Sequence, residues 1–298
     1  MQEDKIKKLN TRAKKTLTLK EVRLNDVNIK KVSDYLLYQK FLNIKDVNRI
    51  LHSSNDKDFP IGNIIEDKKE RVVGFMGTFY SKKKSLDSFY TLCNIHSWIV
   101  NKEHRNNSFF LLSTLLDREL KFTAFTPVKS LVGLLLKFNF NRQSFYSRTI
   151  FNFKYLNFFD KSFFLSSDLE FIKIRLNLDD LVKLNKYNKS IYVKFLIYNK
   201  NYSDYIFVIG TIIKKKGFNS LNLFYVSNQK LFKDNWHIIK SIITKKIKIR
   251  IFSEYSFKAD SSFFPKNIIL SKKSKKDFFL KGEAHLDSED MLSSDLII

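Results

Sequence analysis

A long apolar run, followed by a polar turn and a run with helical spacing, constrains this chain more than any other feature. Phe89 to Val100 (FYTLCNIHSWIV) is typical of a buried strand, Asn101 to Asn107 is polar, and Ser108 opens the helical run. The first turn of a helix leaves backbone N–H groups unpaired, and the helix dipole favours an anion there. Because Arg105 adds a planar cationic donor inside the turn, the segment predicts a phosphate site.

The elements around this segment alternate between strands and helices. Such alternation after a hairpin indicates a layered α/β or α+β domain with a mixed sheet flanked by helices. The predicted strands are 17–23, 61–66, 71–80, 122–125 and 145–153, and the predicted helices are 26–41, 44–52, 108–116 and 128–136.

The second half repeats this order less clearly. It predicts helices over 168–187 and 232–244 and strands over 191–198, 205–213, 221–226 and 247–252. The shared order suggests that one arrangement of strands and helices is duplicated, although no residue-level repeat is present. No Pro- or Gly-rich linker separates the halves. We therefore predict a basic flexible arm over 1–16, a first domain over 17–155 and a second, diverged domain over 156–298.

The charge of the chain limits the classes of partner. A formal net charge of +24 over 298 residues makes nucleic acid or an anionic membrane surface a candidate partner. The basic residues are spread along the chain, however, and no segment has an RNA-binding or helix-turn-helix signature. A generally basic surface that suits anionic small molecules is the favoured interpretation, and no specific nucleic acid is expected.

The cysteine and histidine content limits the classes of site and compartment. Cys93 is the single cysteine, which excludes disulfide scaffolds and cysteine-based zinc sites, and the five histidines have no metal-ligand spacing. The N-terminus does not have the pattern of a signal peptide, and no uncharged apolar run reaches the roughly 20 residues that span a bilayer. We therefore expect a cytoplasmic protein without a transmembrane segment.

The stretch from Arg71 to Phe140 resembles the core of the GNAT acyltransferase superfamily in the order and spacing of its motifs. Trp98-Ile99-Val100 matches the end of the family's central strand. Arg105-Asn106-Asn107-Ser108-Phe109 matches its pyrophosphate-binding turn, usually Arg/Gln-x-x-Gly-x-Gly/Ala. Residues 137–140 (KFNF) match its closing Gly-Phe turn, and the resemblance extends over roughly residues 17–153.

Three features depart from the family pattern. Both glycines of the turn are absent, so we expect Asn106 or Asn107 to take a left-handed backbone, which asparagine tolerates. Asn139 replaces the closing glycine, and Leu135 stands where the family often has a tyrosine that protonates the leaving thiolate. The serine in place of a turn glycine is similar to a family subset found in polysaccharide or surface-sugar gene clusters.

The resemblance implies an acyltransferase that moves an acetyl or similar acyl group from acyl-CoA to an amine or hydroxyl of a small molecule. A sugar in surface-polysaccharide synthesis is the specific candidate. The resemblance further implies that Arg105 and the amides of 106–109 bind the pyrophosphate of acetyl-CoA, and that the strand edge at 98–100 pairs with its pantetheine. The second half would shape the acceptor pocket.

Acyl transfer also needs a group that takes a proton from the acceptor. His96 and Ser97 lie on the strand just before the expected cofactor edge, and a neutral imidazole suits this role. Alternation along a strand turns only one of the two toward a cleft. Packing of His96 between strands is its commoner role, so His96, Ser97 and an ordered water all stay open as the base.

Two interpretations from other classes also stay open. The missing glycines and tyrosine are compatible with a GNAT-like domain that has lost catalysis and binds a ligand or partner. The net charge is compatible with a basic nucleic-acid-binding protein, whose affinity would have to survive physiological salt. The sequence does not indicate an oligomeric state.

Overall fold

A computed structural model describes most of the chain, in two compact units. The described residues are 17–24, 27–39, 42–51, 58–84, 88–125, 127–152, 162–187, 192–201, 204–215, 217–257, 262–265, 268, 271–284 and 286. Unit 1 takes in those up to Gln143 and those from Asp277 to 284, and unit 2 takes in those from Ser144 to Lys276 together with Leu286. The predicted arm over 1–16 lies outside the described residues. None of the described helices is long and apolar enough to cross a membrane.

Strands and helices follow one another along the described chain much as the apolar periodicity indicates. The strands are β1 Thr18–Val22, β2 Gly62–Glu66, β3 Val72–Lys84, β4 Phe89–Val100, β5 Lys121–Phe125, β6 Asn141–Phe151, β7 Phe163–Ser166, β8 Tyr192–Asn199, β9 Tyr205–Lys215, β10 Phe218–Val226, β11 Ile251–Ser256 and β12 Ser271–Lys281. The helices are α1 Asn28–Tyr38, α2 Ile44–Leu51, α3 Phe110–Leu116, α4 Lys129–Lys137, α5 Leu169–Lys173, α6 Leu178–Lys186, α7 Gln229–Asp234 and α8 Trp236–Ile247, with a 3₁₀-helix at Lys102–Asn107.

The two units have the same sheet topology. The strand order is β1-β2-β3-β4-β5-β12 in unit 1 and β7-β8-β9-β10-β11-β6 in unit 2. In each, the fourth and fifth strands are parallel and the other registered neighbours are antiparallel. This arrangement confirms the predicted mixed sheet flanked by helices, and the shared order fits the predicted duplication.

Each sheet ends on a strand from the other half of the chain. β6 directly follows the helix α4 of unit 1, yet its residues Tyr146 to Phe151 pair with β11 in unit 2. β12 follows unit 2 in the chain, yet Phe278 pairs with Phe125 on β5 of unit 1. Because each unit draws on both halves, the predicted domains 17–155 and 156–298 stay a prediction.

Each unit has its own apolar core on one face of its sheet. In unit 1, side chains of β3, β4 and β5 pack against α3 and the end of α4. The turn after α4 closes as a glycine-type turn, because Asn139 has a φ of +61° and the Phe140 N–H donates to the Leu135 carbonyl at 3.1 Å. In unit 2, the ring of Trp236 lies 4.9 Å from that of Phe264 and 5.1 Å from that of Phe252.

The second half departs from the sequence prediction in two places. The helix expected over 168–187 is two helices, since the side chain of Asn177 accepts a hydrogen bond from the Asp180 N–H and starts α6 afresh. The lysine-rich segment 272–276, which lies outside the predicted strands, belongs to β12. The apolar end of that strand, Phe278 to Leu280, is buried, which fixes it in a sheet.

Candidate functional site

The parallel strands β4 and β5 separate part-way along their length. Their register runs from Leu92 opposite Lys121 to Ile95 opposite Ala124 and then ends. β4 continues to Val100 with β3 paired on its other side. Within the described chain, the β5-facing edge from His96 onward therefore has no strand partner. We call this edge, His96 to Val100, the β4 fork.

A β-bulge opens the β4 fork. The register on β3 shifts between Phe75 and Gly77, so that Ser97 and Trp98 together face the single residue Met76. Ser97 has a φ of +45°, in the left-handed region that few non-glycine residues adopt. The extra residue bends β4 where its pairing with β5 stops.

The bulge also resets which side chains face the core. Cys93 and Ile95 before it and Trp98 and Val100 after it pack against the same core cluster. In a regular strand, residues an odd number apart point to opposite faces. The interval from Ile95 to Trp98 is odd, so the alternation has moved by one residue.

The backbone of the β4 fork offers hydrogen-bonding groups on its open side. The Asn101 N–H donates to the Val73 carbonyl at 2.9 Å, which directs the backbone groups of Asn101 and, by alternation, those of Ile99 toward β3. The N–H and carbonyl of Val100, between them, point the other way. An extended ligand can pair with such an edge as an added strand.

His96 is buried and uncharged at the bulge. Its imidazole packs on Gly77, where an added Cβ would lie 2.2 Å from the ring Cε1. Its Nδ1 is 3.2 Å from the Ser97 Oγ, so the bulge brings together two side chains that strict alternation would separate. Burial lowers the pKa of His96 to about 3, which keeps the imidazole neutral at physiological pH.

Two ring nitrogens at the β4 fork lack a hydrogen-bond partner among the described residues. They are the Nε2 of His96 and the Nε1 of Trp98, both shielded from solvent. Buried polar atoms in native proteins nearly always have a partner, and the indole nitrogen can only donate. Both nitrogens are therefore unsatisfied within the described part of the chain.

The segment after β4 is helical rather than an open turn. Lys102–Asn107 forms a 3₁₀-helix that continues into α3, and the Ser108 N–H donates to the Arg105 carbonyl at 3.0 Å. The expectation of a left-handed Asn106 or Asn107 is wrong, because neither residue has a positive φ. One of the four amides expected to bind pyrophosphate, that of Ser108, is thus already used within the protein.

The side chains of this segment divide into exposed and buried ones. Arg105 and Lys102 are exposed, so both can reach an anion. Phe109 is buried in the core cluster of unit 1, and only its backbone can face a ligand. Leu135, where the family often has a tyrosine, is 1% exposed and offers no proton.

A cavity of about 680 Å³ lies beside the end of β4 in unit 1. Its wall carries charges of both signs, with Lys31 and Arg71 against Glu70 and Glu103. The Tyr35 hydroxyl donates to the Val73 carbonyl at 3.2 Å, and burial raises the pKa of this phenol. The hydroxyl therefore remains a neutral donor that ties α1 to the sheet.

Unit 2 contains a second fork that sequence reasoning missed. The register of β10 with β11 ends at Leu223 opposite Glu254, and a register shift between Leu223 and Tyr225 marks a bulge at Phe224. The repeated order of elements was the available signal for it. We call the end of β10, Phe224 to Val226, the β10 fork.

The residue that ends the pairing at the β10 fork is a buried carboxylate. Glu254 accepts hydrogen bonds from the Phe263 N–H at 2.6 Å and from the Ser262 hydroxyl. Burial raises its pKa to about 7. Arg148, its neighbour on β6, donates to the Phe264 carbonyl at 3.3 Å, so the chain's own residues 262–264 cover the carboxylate.

Comparisons with known proteins identify the fold that carries this site. No protein-family profile matches the chain, and no curated protein matches its sequence. Solved structures do match. A GCN5-related N-acetyltransferase from Anabaena variabilis superposes with a TM-score of 0.56 at 10% identity, over 88% of this chain and 72% of that one. The chain has the GNAT fold.

Two further structures have the GNAT fold in common with this chain. One is a glucosamine N-acetyltransferase region of a fungal multi-domain β-N-acetylglucosaminidase, with a TM-score of 0.55 at 10% identity over 89% of this chain and 38% of that one. The other is a putative acetyltransferase from Pyrococcus horikoshii, with a TM-score of 0.51 at 12% identity over 90% of both chains. The resemblance drawn from Trp98-Ile99-Val100 and the following turn is thus confirmed for the GNAT fold.

Proposed function

We propose that this protein transfers an acetyl or similar acyl group from acyl-CoA to an amine or hydroxyl of a small molecule. The observation that carries the proposal is the β4 fork, a bulged strand edge that no described strand covers, followed by the exposed Arg105. Acyl-CoA would supply a thioester-activated acyl group at this edge. The remaining steps are assigned to residues of this chain.

The β4 fork and the following 3₁₀-helix would hold the co-substrate. The outward N–H and carbonyl of Val100 would pair with amide groups of the co-substrate. Arg105 and Lys102 would bind phosphate through charge-assisted hydrogen bonds. The amides of Asn106, Asn107 and Phe109 stay as further candidates for the phosphates.

We assign proton acceptance to the His96–Ser97 pair or to a water held by it. Ser97 is half-buried and so is the member nearer to solvent, while the neutral His96 lies behind it. Because the pKa of His96 is near 3, it does not ionise near pH 6.5. The pH dependence of kcat/KM should therefore show no histidine limb between about pH 5 and 8.

We propose a sugar as the acceptor. One structure with the same fold is described as a glucosamine N-acetyltransferase region, which supports an amino sugar as the first compound to try. A place in surface-polysaccharide synthesis, a cytoplasmic location and a role of the second half in shaping the acceptor pocket stay predictions. Release of free CoA thiol with glucosamine as acceptor is the direct assay.

Calorimetric titration with acetyl-CoA tests the cofactor assignment. We expect micromolar binding, weakened about tenfold in Arg105→Ala because a charged hydrogen bond to phosphate is lost. Lys30→Ala, which removes an equally exposed cation on α1, is the matched control and should bind like the wild type. Absence of binding by the wild type would refute the proposal.

A binding protein without catalysis is the second candidate. The buried Leu135 favours it, because no proton donor occupies the place of the family's usual tyrosine. Such a protein would bind acetyl-CoA but release CoA no faster than its Ser97→Ala variant. Faster release by the wild type with any acceptor would reject this candidate.

A further inference from the structure

A second cavity, of about 600 Å³, lies in unit 2 at the beginning of β10 and β11, whereas the β10 fork lies toward the other end of these strands. Four of the residues on its wall are cations: Lys214, Lys245, Lys248 and Arg250. No residue on its described wall is acidic. We call it the basic cavity.

The basic cavity differs in charge from the cavity of unit 1. That cavity is of similar volume, but its wall mixes Lys31 and Arg71 with Asp34, Glu70 and Glu103. A concave wall with charges of one sign concentrates the electrostatic field and attracts the opposite charge. The general excess of lysine in this chain thus does not by itself give a purely basic wall.

The backbone around the basic cavity is held in place. The Arg250 N–H donates to the Asn219 carbonyl at 3.1 Å, and the Arg250 carbonyl accepts from the Asn152 N–H at 2.8 Å. Lys248 ends α8 in a left-handed conformation with a φ of +56°, which turns the chain sharply between Lys245 and Arg250. The cations therefore project from a fixed frame, which lowers the entropic cost of binding an anion.

An aromatic ring completes the wall. Phe218 is 43% exposed, and the guanidinium carbon of Arg250 lies 5.9 Å from its ring centroid. A partly exposed phenyl ring offers a face on which a flat heterocycle can stack. The volume lies within the range of about 300–1,000 Å³ that is typical of small-molecule sites.

Helix stability is the plain alternative explanation for part of this charge. Lysines in the last turn of a helix offset the negative end of its dipole. Lys245 and Lys246 both lie in the last turn of α8 and are both exposed, but only Lys245 lies on the wall of the basic cavity. The pair therefore separates a ligand site from a helix effect.

We propose that the basic cavity binds a nucleoside di- or triphosphate. The four cations would hold the phosphates, and the base would stack on Phe218. This site is in unit 2, and its occupancy does not depend on the acyltransferase proposal for unit 1.

Calorimetry with ATP and with inorganic pyrophosphate at ~0.15 M salt tests the proposal. We expect ATP to bind, and Lys245→Gln to weaken its binding about tenfold, whereas Lys246→Gln changes it by less than about twofold. Phe218→Ser should weaken ATP about tenfold and leave pyrophosphate within about twofold. Thermal unfolding of each variant confirms that the fold is kept.

Three outcomes would overturn the proposal. The first is no ATP binding by the wild type at about 1 mM. The second is equal loss in Lys245→Gln and Lys246→Gln, which indicates nonspecific attraction to a polycation. The third is loss of ATP binding in Arg105→Ala with none in Lys245→Gln, which places the nucleotide in unit 1.

Discussion

In both forks a strand separates from its parallel neighbour beside a bulge, but the side chains around the two forks differ. In unit 1, β4 leaves β5 after Ile95, and a bulge at Ser97 gives an edge that no described strand covers. In unit 2, β10 leaves β11 after Leu223, and a bulge follows at once, but residues 262–264 cover the last paired residue, Glu254. A shared fold thus supplies two candidate clefts, and the side chains leave one of them open.

A glycine faces each bulge from the neighbouring strand, and what lies above it also differs. Gly77 pairs with His96, and Gly210 pairs with Leu223. The space above Gly77 is filled by the imidazole ring, while that above Gly210 is filled by the backbone carbonyl of Asn222. A change of the His96 side chain can make room for a larger residue at position 77, whereas the backbone of the sheet limits the room at position 210.

The exchange of end strands predicts the largest difference between the units. A fragment 17–143 lacks β12, the strand whose buried Phe278 to Leu280 pair with β5, and should not fold cooperatively, whereas a fragment 144–276 keeps all six of its strands and should. Circular dichroism during urea unfolding measures both. Addition of a peptide 271–284 should fold the first fragment. Cooperative unfolding of 17–143 alone, unchanged by the peptide, would contradict the strand order.

Loss of the buried carboxylate should strongly destabilise unit 2. Glu254→Ala removes the acceptor of the hydrogen bonds from the Ser262 hydroxyl and the Phe263 N–H, and is expected to lower the free energy of unfolding by about 3 kcal/mol because two partly buried donors lose their partner. Glu254→Gln, which keeps the hydrogen-bonding shape, is the milder control. Denaturant titration measures both, and a loss below about 1 kcal/mol in the alanine variant would show that residues 262–264 do not depend on Glu254.

The two forks should respond to pH in opposite directions. The raised pKa of Glu254, about 7 against an ordinary 4.5, gives stability that is full below pH 4.5 and lost as the pH rises through 7. The lowered pKa of His96, about 3 against 6.5, gives stability that is present above pH 6.5 and lost as the pH falls toward 3. The effect is on the order of 3 kcal/mol for Glu254 and on the order of 5 kcal/mol for His96.

Substitutions separate these two pH effects. The difference in unfolding free energy between the wild type and Glu254→Gln should favour the wild type most at acid pH. The difference between the wild type and His96→Asn should favour the wild type most at neutral pH. Parallel slopes for both variants would disprove the assigned burial of one of the two groups.

Replacing the glycine opposite each bulge with alanine tests the bulges, with a smaller expected effect on the free energy of unfolding. Gly77→Ala and Gly210→Ala should each cost about 1–3 kcal/mol, because the added Cβ would lie 2.2 Å from the His96 ring or 2.5 Å from the Asn222 carbonyl oxygen. A second substitution, His96→Ala, should recover much of the loss at Gly77. Truncation of Leu221 should not do so at Gly210, since the obstacle there is backbone. Equal rescue at both sites would contradict the comparison.

Much of unit 1 could be predicted from its sequence because its signals are local. The hairpin of β2 and β3, the strand β4 and the helix α1 follow apolar periodicity and lie within a few residues of their predicted bounds. The bulge at Ser97 could not be predicted, since serine gives no signal for a positive φ and the bulge depends on pairing with Met76. It is the feature that joins His96 to Ser97.

The features that the sequence did not predict depend mostly on contacts between residues that are far apart in the chain. β12 begins with lysines and is fixed only by its apolar end against β5, far away in the sequence. In the sequence, Glu254 is a polar residue just after the predicted strand 247–252, and its burial depends on residues 262–264. The expected open turn at Arg105–Phe109 is helical, and the Ser108 N–H donates to the Arg105 carbonyl.

Hydrogen exchange with and without acetyl-CoA tests the central claim most directly, because it compares the two forks in one sample. We predict slower amide exchange in peptides covering 96–109, which hold the β4 fork and the Arg105 segment, and no change in peptides covering 224–235, which hold the β10 fork and the residues after it. Protection confined to 224–235, or no protection at 96–109 at saturating acetyl-CoA, would contradict the account.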